Sequence, residues 1–575
     1  MENERRFMSG DRAWVGGSSL VAILSWVAFC VVWFDTGVKT HLPFFPAILP
    51  GGLFVASLGV VLFLDRSLRP FEERLDNRLA LLFFVLTLIT RSPLVAFAYG
   101  IPSSDAAIHG VMSLHIAEGG HHPVFAYGES YDGSLKAHLS ALLAAGSGEP
   151  VRSFVAASVL LYGGFVVGLY ALARTILTRP EAVLAGGYAV FAPGFLTAWG
   201  VKGDGSYIEV LAFGTASLAL GARLLRESEG RMRRAFWMGV FGGLAFWAHI
   251  LSTYYLLTAV LALLAADWSR RVFGRVAVFL GGFWLGSLPL FLWNLTRQGQ
   301  SYRWWTQDPS SLAERVTRTL TQLQGMMVDS LPVLAGWWPM ELPAEPASPL
   351  RIVLVLIFPA AGIAFAVRER ASLRELFRGR LTPAVLAILF ALLVVAVFAQ
   401  STFGWLTEEP RYLIFLFSVI PIFLASTLTW LAGRWRLAAR LVAAAILALN
   451  LYGSGLYGWQ AMESDALNRQ FVQDLEELGV RYAYTDFYIS YKYNFLSHGR
   501  LLLTAQLGPE QTERYLPYRD EIAKAERIAL IPRSFRLARR IGQRLDAQGV
   551  TYRRKDLLYP VIYDLSEPVR LETLR

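Results

Sequence analysis

Along most of its length the chain alternates between long apolar runs and short, arginine-rich connections. A helix needs about 20 residues to cross a ~30 Å hydrocarbon core. Runs of that kind recur at Trp14–Phe34, Ala47–Leu64, Leu79–Ala98, Phe154–Leu172, Ala182–Trp199 and Tyr207–Leu225. They continue at Ala235–Ile250, Ser252–Ala266, Val276–Leu295, Ile352–Val367, Pro383–Gln400, Leu413–Leu431 and Leu441–Gly453. Hydropathy thus predicts about 13 membrane-spanning helices. Beyond Gly453 the pattern changes to that of a soluble segment. Asp465–Leu478, Gln511–Ala525 and Phe535–Gln548 carry helical periodicity, whereas Arg481–Phe487, Arg500–Ala505 and Arg527–Ile531 read as short strands. Such alternation predicts a small α/β domain. The expected fold is an all-α polytopic membrane domain with a small C-terminal α/β domain.

Composition agrees and adds an orientation. Of 575 residues, 54% are hydrophobic and 17% charged, and the mean hydropathy is +0.42. These values exclude a soluble enzyme. A net charge of +10 would suggest nucleic acid as a partner, but the arginines sit in connections between apolar runs. Arg66–Arg78, Arg223–Arg234, Arg270–Arg275, Arg368–Arg380 and Arg434–Arg440 fall on one side. That side holds roughly 25 Lys and Arg, against about 8 in the opposite loops, which makes it cytoplasmic. Tyr99–Pro150, Gly200–Ser206, Thr296–Leu350, Ser401–Arg411 and the tail are then expected outside. Met1–Phe34 resembles a signal peptide, but its apolar run is long and lacks a small-residue cleavage site, so it reads as an uncleaved helix. The single cysteine, Cys30, excludes an internal disulfide.

The candidate chemistry collects in those outer connections. Tyr99–Pro150 is a long polar interruption of the apolar pattern. Asp105 follows Pro102-Ser103-Ser104 and opens a stretch that reads as a short amphipathic helix. A carboxylate there is either an N-cap or a general base or metal ligand just above the membrane. Glu129-Ser130-Tyr131-Asp132-Gly133-Ser134-Leu135-Lys136 reads as a surface turn before a helix, or as further carboxylates and a cation of one site. His109, His115, His121 and His122 match no zinc spacing. Lys202 precedes Asp204 in a tight loop and suits a phosphate or an interfacial anchor. His249 separates two short spans. Arg411 and Tyr412 open a span on the outer side, where an arginine runs against the charge bias.

Taken in order, these segments resemble a family. SSDAAIHG, GESYDGSLKAHLSALLAAGSG, GDGSYIEVLAFG, GVFGGLAFWAHI, LGSLPLFLWNL and EEPRYLIFLF are similar to C-type (GT-C) membrane glycosyltransferases. Within them the likeness is to glycosyltransferase family 39 and the bacterial relatives of protein mannosyltransferases, and it extends to YAYTDFYISYKYNFLSHGRLLL in the tail. A single Asp105 stands where many members have an adjacent acidic pair, and two spans precede the usual first helix. The resemblance implies two extra helices in 1–78, a catalytic membrane domain in 79–455 with its first outer loop at 99–150, and an extracytoplasmic α/β domain in 456–575. It also implies an integral protein of the inner or plasma membrane with its active site on the outer face. Sugar would pass, with inversion, from a polyprenyl-phosphate carrier to a hydroxyl or amine of a protein, lipid or glycan. Asp105 is then the expected base. Lys202, Arg411 and Tyr412 are expected to hold the donor phosphate, and His109, Glu129, Tyr131, Lys136, Asp204 and His249 to contact substrate. Membrane lipids are expected partners and nucleic acid is not, while a divalent cation, Mg or Mn, remains open as cofactor. The alternative is a transporter or flippase for a lipid-linked sugar, which would favour ionisable groups near mid-membrane and inverted repeats. The charges gather on one face instead, and no strong internal repeat is visible.

Overall fold

The structure, a computed structural model, describes residues 21, 23–27, 30 and 74–568, apart from 120, 267–270, 305–309, 338–348, 402 and 508–511. The span expected at Ala47–Leu64, and all but a few positions of Trp14–Phe34, lie outside the described residues. The chain divides into two compact units. One comprises Met1–Thr90, Leu160–Ala198 and Tyr207–Tyr457, the other Arg91–Val159, Trp199–Ser206 and Gly458–Arg575.

The first unit is helical. Among the described residues six helices are long and apolar enough to cross a membrane, or nine when each bent pair counts as one span. The protein is therefore a multi-pass membrane protein. Three expected spans are broken instead of straight, the first of them Ala182–Trp199, which falls on Arg179–Val190 and Gly194–Lys202, bent by 65°. Val276–Leu295 falls on Arg271–Gly286 and Leu288–Thr296, bent by 72°, and Leu413–Leu431 on the 3₁₀ segment Arg411–Ser418 followed by Ile420–Ala432, bent by 50°. Proline accounts for the latter two breaks: Pro289 and Pro421 sit in the first turn of the second helix, where the missing N–H costs nothing but the ring clashes with a preceding helical turn.

Glycine sets the tightest packing in this unit. Arg231–Ala248 lies against Arg271–Gly286 through Gly239 and Gly243 on one helix and Gly282 and Gly286 on the other. A Cβ at Gly239 would lie 2.1 Å from Phe279 O, and one at Gly243 2.2 Å from Phe283 O. In the reverse direction, Gly282 would meet Phe236 O at 2.1 Å and Gly286 would meet Val240 O at 2.2 Å. Two glycine-x-x-x-glycine faces thus bring the backbones together, the usual means of association where lipid removes the hydrophobic drive. Gly243→Ala should force the helices apart at a cost of about 1–3 kcal/mol or more. A lower unfolding temperature of the detergent-purified variant is expected; an unchanged one would contradict the close approach.

In the second unit the tail forms a five-stranded sheet of order β2-β1-β3-β5-β4, with β1 Tyr482–Thr485, β2 Leu502–Ala505, β3 Ala529–Leu530, β4 Arg553–Asp556 and β5 Pro560–Tyr563. β1 pairs in parallel with β2 and β3, and the hairpin β4–β5 adds antiparallel to β3. Parallel neighbours need a crossover. The helix Phe487–Leu496 supplies it between β1 and β2, capped by Asp486, whose carboxylate accepts from Ile489 N at 3.1 Å. Behind the sheet, Leu530, Ile541, Leu545, Val550 and Ile562 form a buried core. Three expectations are corrected. Asp465–Leu478 is no separate helix but the end of Arg436–Glu477, a 42-residue helix with no proline. Its polar end is laced by four-residue contacts such as Trp459–Glu463, Asp465–Arg469 and Gln473–Glu477. Gln511–Ala525 shrinks to Leu516–Ile522, started by Pro517. Strands β4 and β5 are additional.

Candidate active site

The residues singled out around Asp105 lie in the second unit. The helix Ser104–Ala117 is not amphipathic as expected. Ala106, Ala107, Ile108, His109, Gly110, Val111, Met112 and Leu114 are all buried, and Gly110 admits Phe495 so closely that a Cβ would lie 2.5 Å from its ring. Asp105, in its first turn, is exposed. Nor is Asp105 the cap. Ser103 is, its Oγ accepting from Ala106 N at 3.1 Å, while Ser104 donates to the carbonyl of Phe487. The capping task, which would occupy a carboxylate's lone pairs, therefore falls to a hydroxyl.

Ser103 Oγ also donates to Asp204 Oδ1 at 2.6 Å, and Lys202 Nζ lies 2.8 Å from Asp204 Oδ2. Lys202 Nζ stands 4.9 Å from the Trp199 ring centroid. A relay of three side chains thus joins a cation to the start of the Asp105 helix. The 202–206 loop follows from its glycines: Gly203 and Gly205 have φ of 78° and 59°, where a side chain is strained. Gly203 also admits Phe154, at 2.9 Å from a Cβ position, and its carbonyl accepts from Lys136 Nζ. Lys136 is fully buried and holds the loop from within, its Nζ 5.5 Å from the Phe154 ring. That makes it a fixing element. Ser206 Oγ closes the loop onto Gly133 O at 3.0 Å.

The expected surface turn at Asp132-Gly133 is also buried. Asp132 is 5% exposed because its Oδ2 receives His109 Nε2 at 2.9 Å, and the backbone closes with Ala126 N on Asp132 O at 2.8 Å. Glu129 pairs with Arg514 of the tail at 2.9 Å. Burial, helped by the nearby Asp132, pushes the Glu129 carboxyl up to about 7 against the pull of Arg514. Burial raises the Tyr131 phenol too. At the loop's entry, Tyr99 is tied to the long helix by its N–H to Asp465 Oδ1 at 2.9 Å and by Asn468 Nδ2 to its carbonyl at 2.8 Å.

His115 bridges the far end of the Asp105 helix to Tyr127 and Tyr518, with Nδ1 2.8 Å from one hydroxyl and Nε2 2.9 Å from the other. Two hydroxyls suit a neutral imidazole, one accepting and one donating. Burial, with His121 nearby, lowers its pKa to about 4. In the unfolded chain histidine titrates near ~6.5. As pH falls from about 6.5 to about 4 the unfolded chain takes up this proton and the fold does not, so stability drops over that window. Thermal unfolding of the whole protein followed across it should show a shallower loss for His115→Gln; parallel curves would remove His115 as a contributor.

His249, Arg411 and Tyr412 belong to the first unit. His249 ends the helix Arg231–Ala248, and its Nδ1 accepts from Leu251 N at 3.1 Å. Its ring lies 5.5 Å from Tyr207, which in turn packs 6.0 Å from Tyr412. Arg411 is half-buried with its guanidinium carbon 5.4 Å from the Tyr412 ring, and its shielded Nε has no hydrogen-bond partner among the described residues. The parts played by Ser103, Trp199 and Arg514 escape sequence reasoning, because no local signal carries them; the sequence marks Asp132 only as a turn residue or a further carboxylate of the site. Among the described residues no three His, Cys, Asp or Glu side chains gather as a metal ion would require. The acids near Asp105 have other partners: Asp132 has His109, Asp204 has Lys202 and Ser103, and Glu129 has Arg514. This donor set does not fit a divalent cation.

This mostly helical chain, with bent and straight apolar helices and a small C-terminal sheet, has the fold of C-type membrane glycosyltransferases. The likeness is to ArnT from Cupriavidus metallidurans, both bound to undecaprenyl phosphate and in the apo state. Each has a TM-score of 0.53 at 12% identity; the first match covers 85% of this chain and 99% of that one, the second 83% and 97%. A weaker likeness, at TM-score 0.44 and 12% identity over 86% of this chain and 75% of the other, links it to the archaeal oligosaccharyltransferase AglB from Archaeoglobus fulgidus in complex with an inhibitory peptide and a dolichol-phosphate. No protein-family model and no curated protein matches the sequence.

Proposed function

We propose that this protein is a glycosyltransferase of the family 39 kind that moves a sugar from a polyprenyl-phosphate carrier to an acceptor hydroxyl or amine on the non-cytoplasmic face. The observation that carries the proposal is Asp105: an exposed carboxylate in the first turn of a buried helix whose cap is supplied by Ser103. In the proposed reaction the acceptor oxygen or nitrogen attacks C1 of the sugar from the side opposite the phosphate. The C1–O bond breaks with its electron pair passing to the phosphate oxygen, and the acceptor's proton passes to the Asp105 carboxylate. Backside attack inverts the anomeric centre. Lys202 is proposed as a cation that meets the donor phosphate, its ammonium steadied by Asp204 and Trp199. Arg411 and Tyr412 are proposed as donor-phosphate ligands from their own setting, Arg411 having a guanidinium N–H to give. His109, Glu129 and Lys136 already hold Asp132, Arg514 and Gly203, so their part is to shape the loop. Tyr131, Asp204 and His249 stay as proposed substrate contacts.

The test is incubation of the protein in nanodiscs with a panel of polyprenyl-phosphate sugars and membrane extract as acceptor, followed by mass spectrometry. Free polyprenyl phosphate and a glycosylated product are expected from at least one donor. Intact donor with every member would sink the enzyme reading and leave the transporter.

A further inference from the structure

The helix Leu312–Gly325, in the first unit, presents three different sides. Its start is fixed by a capping box in which Ser311 Oγ accepts from Glu314 N at 3.3 Å and Glu314 Oε2 accepts from Ser311 N at 2.6 Å. Arg318, Gln322 and Gly325 form the side that the protein holds. Arg318 Nη2 donates to Gln400 O at 3.4 Å and Gln322 Nε2 to Ser401 O at 3.2 Å, while a Cβ at Gly325 would lie 2.7 Å from Thr407 Cγ2. Thr317, Thr321 and Gln324 make a polar, exposed side. Leu312, Val316 and Leu320, four residues apart, make the third side as one apolar stripe. They are 79%, 51% and 63% exposed, so the described residues leave this stripe uncovered.

The held side fixes the level at which the helix lies. Pro349–Arg368 and Pro383–Gln400 are apolar helices of membrane-crossing length. The short connection between them, with its helix Arg370–Phe377, makes them antiparallel, so Pro349 and Gln400 stand at the same membrane face. The 18 residues of Pro383–Gln400 rise about 27 Å. That nearly fills a ~30 Å hydrocarbon core and puts Gln400 at its edge. Arg318 and Gln322 are bonded to this edge. Further on, Arg351 in the first turn of the other span donates from Nη2 to Val328 O at 2.9 Å and to Asp329 Oδ1 at 3.2 Å. Arg318 and Asp329 are separated by roughly 16 Å at helical rise, and both are tied to span ends at one face. The segment therefore runs along the membrane boundary, not away from it. Phe403 and Trp405, 52% and 67% exposed just beyond Gln400, are aromatic residues of the kind found at that level.

We infer that Leu312–Gly325 is an interfacial helix that sinks Leu312, Val316 and Leu320 into lipid at the edge of the bilayer. An apolar stripe beside a polar one, on a helix lying in the plane of the interface, is the arrangement that binds a bilayer surface. In water, three large apolar side chains in one row are hydrated at a cost, which contact with acyl chains removes. A soluble partner covering the same stripe would have to displace lipid at that depth. Lipid thus joins Gln400, Ser401 and Arg351 in seating the segment. The inference is independent of the glycosyltransferase reading.

The test uses the full-length protein in nanodiscs with a nitroxide on cysteines introduced singly as Leu312→Cys, Val316→Cys, Leu320→Cys, Thr317→Cys and Thr321→Cys. The parent, whose Cys30 is buried, is the labelling control. Relaxation of each label is read with oxygen, which concentrates in lipid, and with a water-soluble nickel chelate. The three stripe labels are expected to respond to oxygen and the two threonine positions to nickel. In a variant that adds Leu312→Gln and Val316→Gln, the label at Leu320→Cys is expected to move from oxygen to nickel. The stripe labels are read separately, so one variant that fails to fold leaves two. The inference is overturned if all five positions report water, or if the stripe labels answer to neither agent and are covered by protein. Dipolar broadening between labels would assign the stripe to a second copy of the chain and overturn it too, as would an unchanged Leu320→Cys label in the glutamine variant. Transfer activity takes no part in the readout, so loss of the transferase reading would leave this result standing.

Discussion

Asp105→Asn should lower sugar transfer by roughly 10²–10⁴, the range that a positioned proton acceptor supplies, while donor affinity changes little. The structure makes this a sharper substitution than the sequence allowed. On the sequence alone, loss of activity would be confounded with loss of a helix cap. Here Ser103 caps the helix, and the rest of the helix is buried around His109, Met112 and Leu114, so asparagine at an exposed first-turn position leaves the fold intact. Two controls separate chemistry from architecture. Ser103→Ala removes the cap and the contact to Asp204, at about 0.5–2 kcal/mol of stability, and should act on the unfolding temperature before it acts on rate. Asp105→Glu keeps a carboxylate one methylene further out and should retain part of the activity. Single-turnover transfer with saturating donor is the measurement. Near-parental transfer by Asp105→Asn would end the assignment of Asp105 as base.

How much of this was legible beforehand depends on the range of the interaction. Hydropathy located the helices because crossing a membrane demands a local run of apolar side chains, and Pro383–Gln400 coincides with its helix end for end. It did not show that Leu413–Leu431 begins as a 3₁₀ segment, although Pro421 was the available cue. In the tail, β1, β2 and β3 were found near their places by alternation, whereas β4 was missed because Arg-Arg-Lys-Asp has no apolar face to alternate. Such a charged edge strand discourages pairing with another chain. Asp105 stood out because it follows an apolar span. Its surroundings did not, since Ser103 meets Asp204 and Lys136 meets Gly203 across separations of 101 and 67 residues, which no local pattern encodes. Lys136 shows the consequence most clearly. Its sequence context suggested a substrate contact, but a fully buried ammonium bound to a loop carbonyl is a structural tie.

Arg411→Ala should weaken donor binding by about 1.5–3 kcal/mol, the value of a hydrogen bond to a charged group, or roughly 10- to 150-fold in Kd. Arg411 Nε is shielded from water and has no partner among the described residues, and a buried N–H without an acceptor is costly unless a ligand supplies one. Tyr412, stacked 5.4 Å from the guanidinium carbon, fixes the plane in which that acceptor must lie. A phosphate oxygen meets the requirement, and a planar guanidinium can engage two of them. Arg411→Lys should therefore recover only part of the affinity, because an ammonium is a point charge without the fork geometry. Tyr412→Phe, which keeps the ring, should bind more tightly than Tyr412→Ala. Donor affinity is to be measured by equilibrium binding of polyprenyl phosphate and of its sugar-bearing form in nanodiscs. If both are bound as well by Arg411→Ala as by the parent, Arg411 is an interfacial anchor and the donor phosphate is held elsewhere.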